Sequence, residues 1–167
     1  MDLVVILIID NFLTPKECKT LIKTYNQNEA LATQWPPHVK GPCAHVISTT
    51  DIFNPLLQRT LSRTQKAVKQ YFNPKISIDW AELKKHDKGT SHPLHFDLAK
   101  ADTALFSVVY LNTLSSGYTI FKDETQVVPI TGRLLLFDGQ KYFHGVNQTQ
   151  EERYTLSTWY KLSSSKT

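Results

Sequence analysis

From residue 104 onward the chain is cut into short apolar runs separated by turn residues, and this rhythm limits the possible folds more than any other feature. The runs are Ala104–Leu111, Tyr118–Phe121, Gln126–Ile130, Arg133–Phe137, Tyr142–Val146 and Tyr154–Tyr160. Many short strands in succession argue for a sandwich or barrel of jelly-roll type. There is no internal repeat, coiled coil, phosphate-binding loop or dinucleotide fingerprint to suggest another architecture.

The N-terminal half reads differently. Leu3–Ile9 is rich in Val and Ile and predicts a strand. Thr14, Pro15 and Glu17 supply a cap, a first-turn proline and the acid of a capping box, so a helix should run to about Gln27. Cys18, Leu21, Ile22 and Tyr25 fall on its apolar face. From Asn28 to Pro42 the pattern dissolves into a proline-rich loop carrying Trp35, which reads either as a lid over a site or as a plain connection. Cys43–Thr49 predicts a short strand. A second helix starts at Asn54-Pro55 and ends near Phe72, with Leu56, Leu57, Leu61, Thr64, Ala67, Val68 and Tyr71 on or near one face. Ile76–Lys84 alternates as a strand, with Ile76, Ile78 and Trp80 on one side and Ala81 and Leu83 on the other.

A chain of 167 residues fits one domain, here 1–167, with residues 1–90 as support and 91–161 as a metal-bearing β-core. The net charge of +4 suits an anionic co-substrate or a polyanion equally. Cys18 and Cys43 form no C-x-x-C pair, which points to a reducing compartment. The opening MDLVVILII is too short to span a membrane and lacks a charged leader. A cytoplasmic protein with no membrane partner is therefore expected.

Between the two halves lies SHPLHFD. In a strand, residues two apart face the same way, so His95 and Asp97 would project together while Phe96 packs on the other side. His144 follows 47 positions after Asp97, and a distant strand could return it to the same point. Two imidazoles and one carboxylate on one face of an ion leave the opposite positions open, the ligand set of a non-haem iron oxygenase. His92 is read as lying on the opposite strand face and is excluded as a ligand. His38 and His45 have no metal-like spacing. Taken singly, His95 reads as a structural histidine, Arg153 as a surface charge paired with Glu151 or Glu152, and Tyr110 and Trp159 as core aromatics.

The combination H-x-D, then His144-Gly145-Val146, then Arg153 nine residues later, resembles the Fe(II)/2-oxoglutarate-dependent dioxygenases, in particular their prolyl 4-hydroxylase-like branch. The resemblance begins at Asp10–Cys18. It continues through Tyr110-Leu111-Asn112, Gly117–Phe121, Pro129, Gly132 and Phe137 to Trp159. It implies a double-stranded β-helix buttressed by the two N-terminal helices, with Fe(II) on His95, Asp97 and His144. It implies Arg153 as the cation for the remote carboxylate of 2-oxoglutarate, with Tyr110 and Thr119 as hydroxyl donors nearby. O2 is then the second co-substrate, succinate and CO2 are products, and ascorbate dependence is a family expectation. The retained Asp97 argues against a halogenase or a dead site. The family's tyrosine, about nine residues before the first metal histidine, is here His86. The substrate class implied is a prolyl residue of a peptide or protein, or a small proline-like molecule. An oxidative demethylase of nucleic-acid bases is the alternative within the superfamily. Against it, no second arginine closely follows Arg153 and no basic stripe carries interleaved aromatics, so nucleic acid is not the expected partner. A non-catalytic metal-binding jelly-roll module is the alternative outside enzymes, and it would have no use for Arg153.

Overall fold

The computed structural model describes residues 6–72, 75–97 and 103–162. Its elements in chain order begin with β1 (Leu7–Ile9), α1 (Pro15–Gln27), β2 (Thr33–Trp35), β3 (Ala44–Ser48) and α2 (Pro55–Tyr71). They continue with β4 (Ile76–His86), β5 (His92–His95), β6 (Thr103–Tyr110), β7 (Thr119–Phe121), β8 (Gln126–Val127), β9 (Leu134–Phe137), β10 (His144–Val146) and β11 (Arg153–Leu162). Seven strands form one sheet in the order β1-β9-β6-β11-β4-β3-β2, and four form a second in the order β5-β10-β7-β8. All pairings are antiparallel. This is the double-stranded β-helix core that the strand rhythm and the resemblance imply, flanked by two helices.

The large sheet has two differently used faces. On one, both helices cover an apolar core that includes Leu21, Tyr25, Leu57, Val68, Leu83, Leu136 and Leu156. On the other, Val108, Tyr110, Phe121, Val127, Leu135 and Phe137 fill the space toward the small sheet. Helix α1 begins with the predicted capping box: Thr14 accepts from the Glu17 N–H while Glu17 accepts from the Thr14 N–H. A cap of this kind is worth about 1 kcal/mol. Helix α2 buries Leu57, Leu61, Thr64, Ala67 and Val68 as predicted, and Thr60 in addition. Tyr71, at its last turn, is exposed instead.

Two expectations change. The Asn28–Pro42 segment is not all loop, because Thr33–Trp35 pairs with β3 as an edge strand. Three exposed residues carry no period to read, and only the backbone ladder makes them a strand. The facing of β4 also differs from simple alternation. Trp159 pairs with Trp80 but Tyr160 with Ile78, so Asp79 is an extra residue and the strand bulges there. A bulge resets the alternation. Ile76 and Ile78 therefore join Ala81 and Leu83 on the helix side, while Trp80 faces inward against Trp159, with ring centres 4.6 Å apart. The predicted Leu3–Ile9 strand lies outside the described residues up to residue 5; from Leu7 it is a strand. Among the described residues, no helix is long and apolar enough to cross a membrane.

Candidate metal centre and its pocket

His95 ends β5 and His144 begins β10, and the register sets them directly opposite one another. Cross-strand partners share a face, so pairing alone brings the two imidazoles together. Strand β7 pairs along the other edge of β10, with Phe121 opposite His144. Asp97 sits two residues past the end of β5 rather than on the strand. Its N–H donates to the Gly139 carbonyl at 2.9 Å. Its Oδ1 lies 3.7 Å from His95 Nε2 and 3.6 Å from His144 Nε2. Phe96 turns away and packs against Phe143.

Each imidazole is oriented through its other nitrogen. His95 Nδ1 donates to the Pro93 carbonyl and His144 Nδ1 to the Tyr142 carbonyl, both at 2.8 Å. A carbonyl can only accept, so Nδ1 carries the proton in each ring and the Nε2 lone pair is free for a metal. Burial pushes the Asp97 carboxyl up, but the neighbouring His144 and His95 imidazoles outweigh it and hold it at about 2. The nearby Asp97 carboxylate in turn raises the His95 imidazole. Asp97 Oδ2 is buried without a hydrogen-bond partner. An ionised, unpaired oxygen in that position is costly unless a cation shares the site, so the donor set fits a divalent metal. A Cβ on residue 139 would fall 2.0 Å from Asp97 Oδ2; glycine there makes room for the carboxylate.

Arg153 opens β11 opposite His86, the last residue of β4. It is 3% exposed. Its Nη1 donates to His86 Nδ1 at 3.3 Å, and its guanidinium stands over the Tyr110 ring, 5.4 Å from the centre. Its Nε has no hydrogen-bond partner, and no carboxylate pairs with it among the described residues. The surface-charge reading of this arginine is thereby overturned: Glu152 instead accepts from the Tyr154 hydroxyl and lies near Lys85. Tyr110 and Thr119 are both buried and share a hydroxyl hydrogen bond beside the guanidinium.

These groups enclose a narrow inner pocket of about 80 Å³, bounded by His86, His92, the three candidate ligands, Thr119 and Arg153. It opens into an outer cleft of about 520 Å³ walled by Trp35, Trp80, Trp159 and Phe96, with Glu82 and Lys84 at its floor. His92 lines both spaces. The opposite-face reading fails because the β5–β10 register shifts between His144 and Val146; His92 nonetheless stands outside the cluster of candidate ligands. Burial, followed by the positive charges of Arg153 and Lys84, holds His86 well below the ordinary imidazole range. Burial with Lys84 and Arg153 brings His92 to about 4. The two rings meet edge to face at 5.1 Å. Lys84, whose ammonium burial disfavours, stands 3.6 Å from Glu82 and 5.3 Å from the Trp159 ring centre. Sequence reasoning passed over Lys84, Glu82 and Gly139. The signal for the first two was the inward set Trp80, Glu82, Lys84 and His86 at spacing two, and it becomes readable only once the bulge at Asp79 is known.

Residues 81–161 match the model of the 2OG-Fe(II) oxygenase superfamily. Residues 81–161 thus carry the sequence pattern of the Fe(II)/2-oxoglutarate-dependent oxygenases, and the fold of the chain is one shared with prolyl 4-hydroxylases. A prolyl 4-hydroxylase from Pseudomonas putida superposes with a TM-score of 0.76 at 16% identity, over 96% of this chain and 94% of that one. A Trichoplax adhaerens prolyl hydroxylase, in complex with a peptide fragment of hypoxia inducible factor, gives 0.75 at 18% identity over 93% and 83%. SnoN, a non-haem, α-ketoglutarate-dependent epimerase from nogalamycin biosynthesis, gives 0.78 at 14% identity over 94% and 77%. No curated protein matches the chain by sequence.

Proposed function

We propose that the chain is an Fe(II)- and 2-oxoglutarate-dependent dioxygenase that hydroxylates a C–H bond of a prolyl residue in a peptide, or of a small proline-like substrate, as a single domain over residues 1–167. The observation that carries this reading is Arg153: a buried guanidinium with no carboxylate partner among the described residues, in the same pocket as the His95, Asp97 and His144 donors.

His95, Asp97 and His144 would hold the iron. Iron bound there, with 2-oxoglutarate and O2, supplies the oxidative chemistry: the 2-oxoacid becomes succinate and CO2, and one oxygen atom enters the substrate C–H bond. Arg153 orients the co-substrate by its remote carboxylate, with a planar fork suited to two parallel hydrogen bonds. The Tyr110 and Thr119 hydroxyls set the polarity of that end. Neutral His86 occupies the place of the family tyrosine, accepts from Arg153, and so fixes the direction in which the guanidinium presents its remaining N–H groups. The outer cleft lies within the ~300–1,000 Å³ typical of small-ligand sites. Its tryptophan walls suit the extended, proline-rich backbone that aromatic grooves recognise. Lys84 is paired with Glu82 there, so the cleft offers a polyanionic strand little net positive charge.

The test is anaerobic addition of Fe(II) and 2-oxoglutarate, followed by oxygenated turnover with prolyl peptides. Wild-type protein is expected to show the visible charge-transfer band of iron-bound 2-oxoglutarate, His95→Ala to lose it, and peptide to gain the mass of one oxygen with succinate released. Parallel arms with and without ascorbate measure that requirement. Iron binding without the band would favour a non-catalytic jelly-roll module. Turnover of methylated nucleic acid in place of peptide would favour the demethylase.

A further inference from the structure

A second group of metal-ligating side chains lies on the opposite, helix-bearing face of the large sheet. Cys43 immediately precedes β3, His45 lies on it, and Asp87 immediately follows β4. Cys43 and His45 are two apart and share a face. The β3–β4 register sets Ala44 opposite His86 and His45 opposite Lys85. One step further, the Asp87 N–H donates to the Cys43 carbonyl at 3.0 Å. Three donor atoms meet as a result. Cys43 Sγ is 3.6 Å from His45 Nε2 and 3.9 Å from Asp87 Oδ2, and His45 Nε2 is 2.8 Å from Asp87 Oδ2.

This is not a nucleophilic triad. A relay uses one imidazole nitrogen for the nucleophile and the other for the carboxylate, whereas His45 turns Nε2 to both neighbours. Three donors converging on a common centre match an ion instead. Bonds of about 2.3 Å to sulfur and about 2.0–2.1 Å to nitrogen and oxygen place tetrahedral ligand atoms roughly 3.3–3.6 Å apart. The observed separations of 2.8, 3.6 and 3.9 Å bracket that range. A thiolate with an imidazole selects a borderline-soft ion over magnesium or calcium. The His45 and Asp87 side chains are 31% and 35% exposed, so an ion can enter and a water can complete its shell.

We propose that Cys43, His45 and Asp87 form a second metal site for a divalent ion of the zinc class, independent of the iron triad. The ion ties the start of β3 to the end of β4. Asp87 is the residue after His86, so the ion holds the strand end that presents His86 to Arg153.

The test is cobalt(II) titration of the metal-free 167-residue protein. Thiolate-to-cobalt charge transfer reports sulfur ligation, and the His95, Asp97 and His144 set contains no sulfur. One equivalent is expected to develop this band in His95→Ala, and cobalt in excess of both sites to develop it in wild type. The band is expected to vanish in Cys43→Ser, to need at least tenfold more cobalt in Asp87→Asn, and to be bleached by zinc. Because zinc can also occupy the His95, Asp97 and His144 set, its effect on Tm is read without that set: zinc is expected to raise the Tm of His95→Ala but not of the double variant His95→Ala/Cys43→Ser. No sulfur band with cobalt in excess of both sites would overturn the proposal, as would a band persisting in Cys43→Ser or an equal zinc shift in His95→Ala and the double variant. Circular dichroism of each variant separates loss of the site from loss of the fold: a Cys43→Ser protein that fails to fold hands the decision to Asp87→Asn.

Discussion

The inner pocket is enclosed by paired strands, whereas the outer cleft runs out onto an edge strand. His144 has a strand on either side, and Arg153 and His86 face each other across a ten-pair ladder. Both Arg153 and His86 are buried. At the other end, Trp35 is 53% exposed and belongs to three residues paired with β3 alone. Phe96 is nearly as open. Ladder pairing on both sides of a residue leaves its side chain little freedom; pairing on one side leaves much. The consequence is a division of labour. The groups proposed to hold cofactors stand where the backbone over-determines them, whereas Trp35 and Phe96, proposed to meet substrate, stand where a substitution costs little stability.

This contrast can be broken first at the ligands. Asp97→Ala or His144→Ala should abolish 2-oxoglutarate-dependent turnover while circular dichroism stays native. Gly139→Ala should be nearly as damaging although it removes no ligand, because its methyl would displace the Asp97 carboxylate. Iron binding by calorimetry at wild-type strength in Gly139→Ala would show the centre to be more pliant than the geometry indicates. Next comes Arg153→Ala, expected to weaken 2-oxoglutarate binding by about two orders of magnitude, the scale for losing one partner of a buried charge pair. Apparent co-substrate affinity measures it, and an unchanged value would remove the role. Trp35→Ala or Trp80→Ala should raise the substrate KM about tenfold, roughly the worth of one large aromatic contact, and leave 2-oxoglutarate affinity intact. If 2-oxoglutarate affinity fell as well, the two spaces would be one site in energetic terms.

The smallest effect is a pH dependence of the metal-free protein. Folded His92 titrates at about 4, against roughly 6.5 in an unfolded chain. Between those values the unfolded state binds more protons, so stability is complete above about pH 6.5 and falls as pH drops toward 4. His86, lowered by the same causes, acts in the same direction. Urea unfolding at pH 7 and pH 5 should differ by about 1–3 kcal/mol, and His92→Asn should reduce that difference. An equal difference in the variant would place the acid sensitivity elsewhere.

Much of this molecule was legible in its linear order. Local chemistry wrote the capping box at Thr14, the helix start at Asn54-Pro55 and the apolar strand rhythm after residue 104, because caps and alternation depend on neighbours within a few residues. The pattern His95, Asp97, His144 and Arg153 was also readable, since a donor set and its spacing survive in sequence. What the sequence left hidden depends on register. The bulge at Asp79 decides which side chains of β4 face inward, and the shift between His144 and Val146 turns His92 into the pocket. The meeting of Cys43 and His45 with Asp87, across more than forty residues, exists only because β3 pairs with β4 in one alignment and not the next. A one-residue slip sends every side chain to the other face, and no local propensity encodes that choice. It is set by how the two sheets and the helix layer pack together.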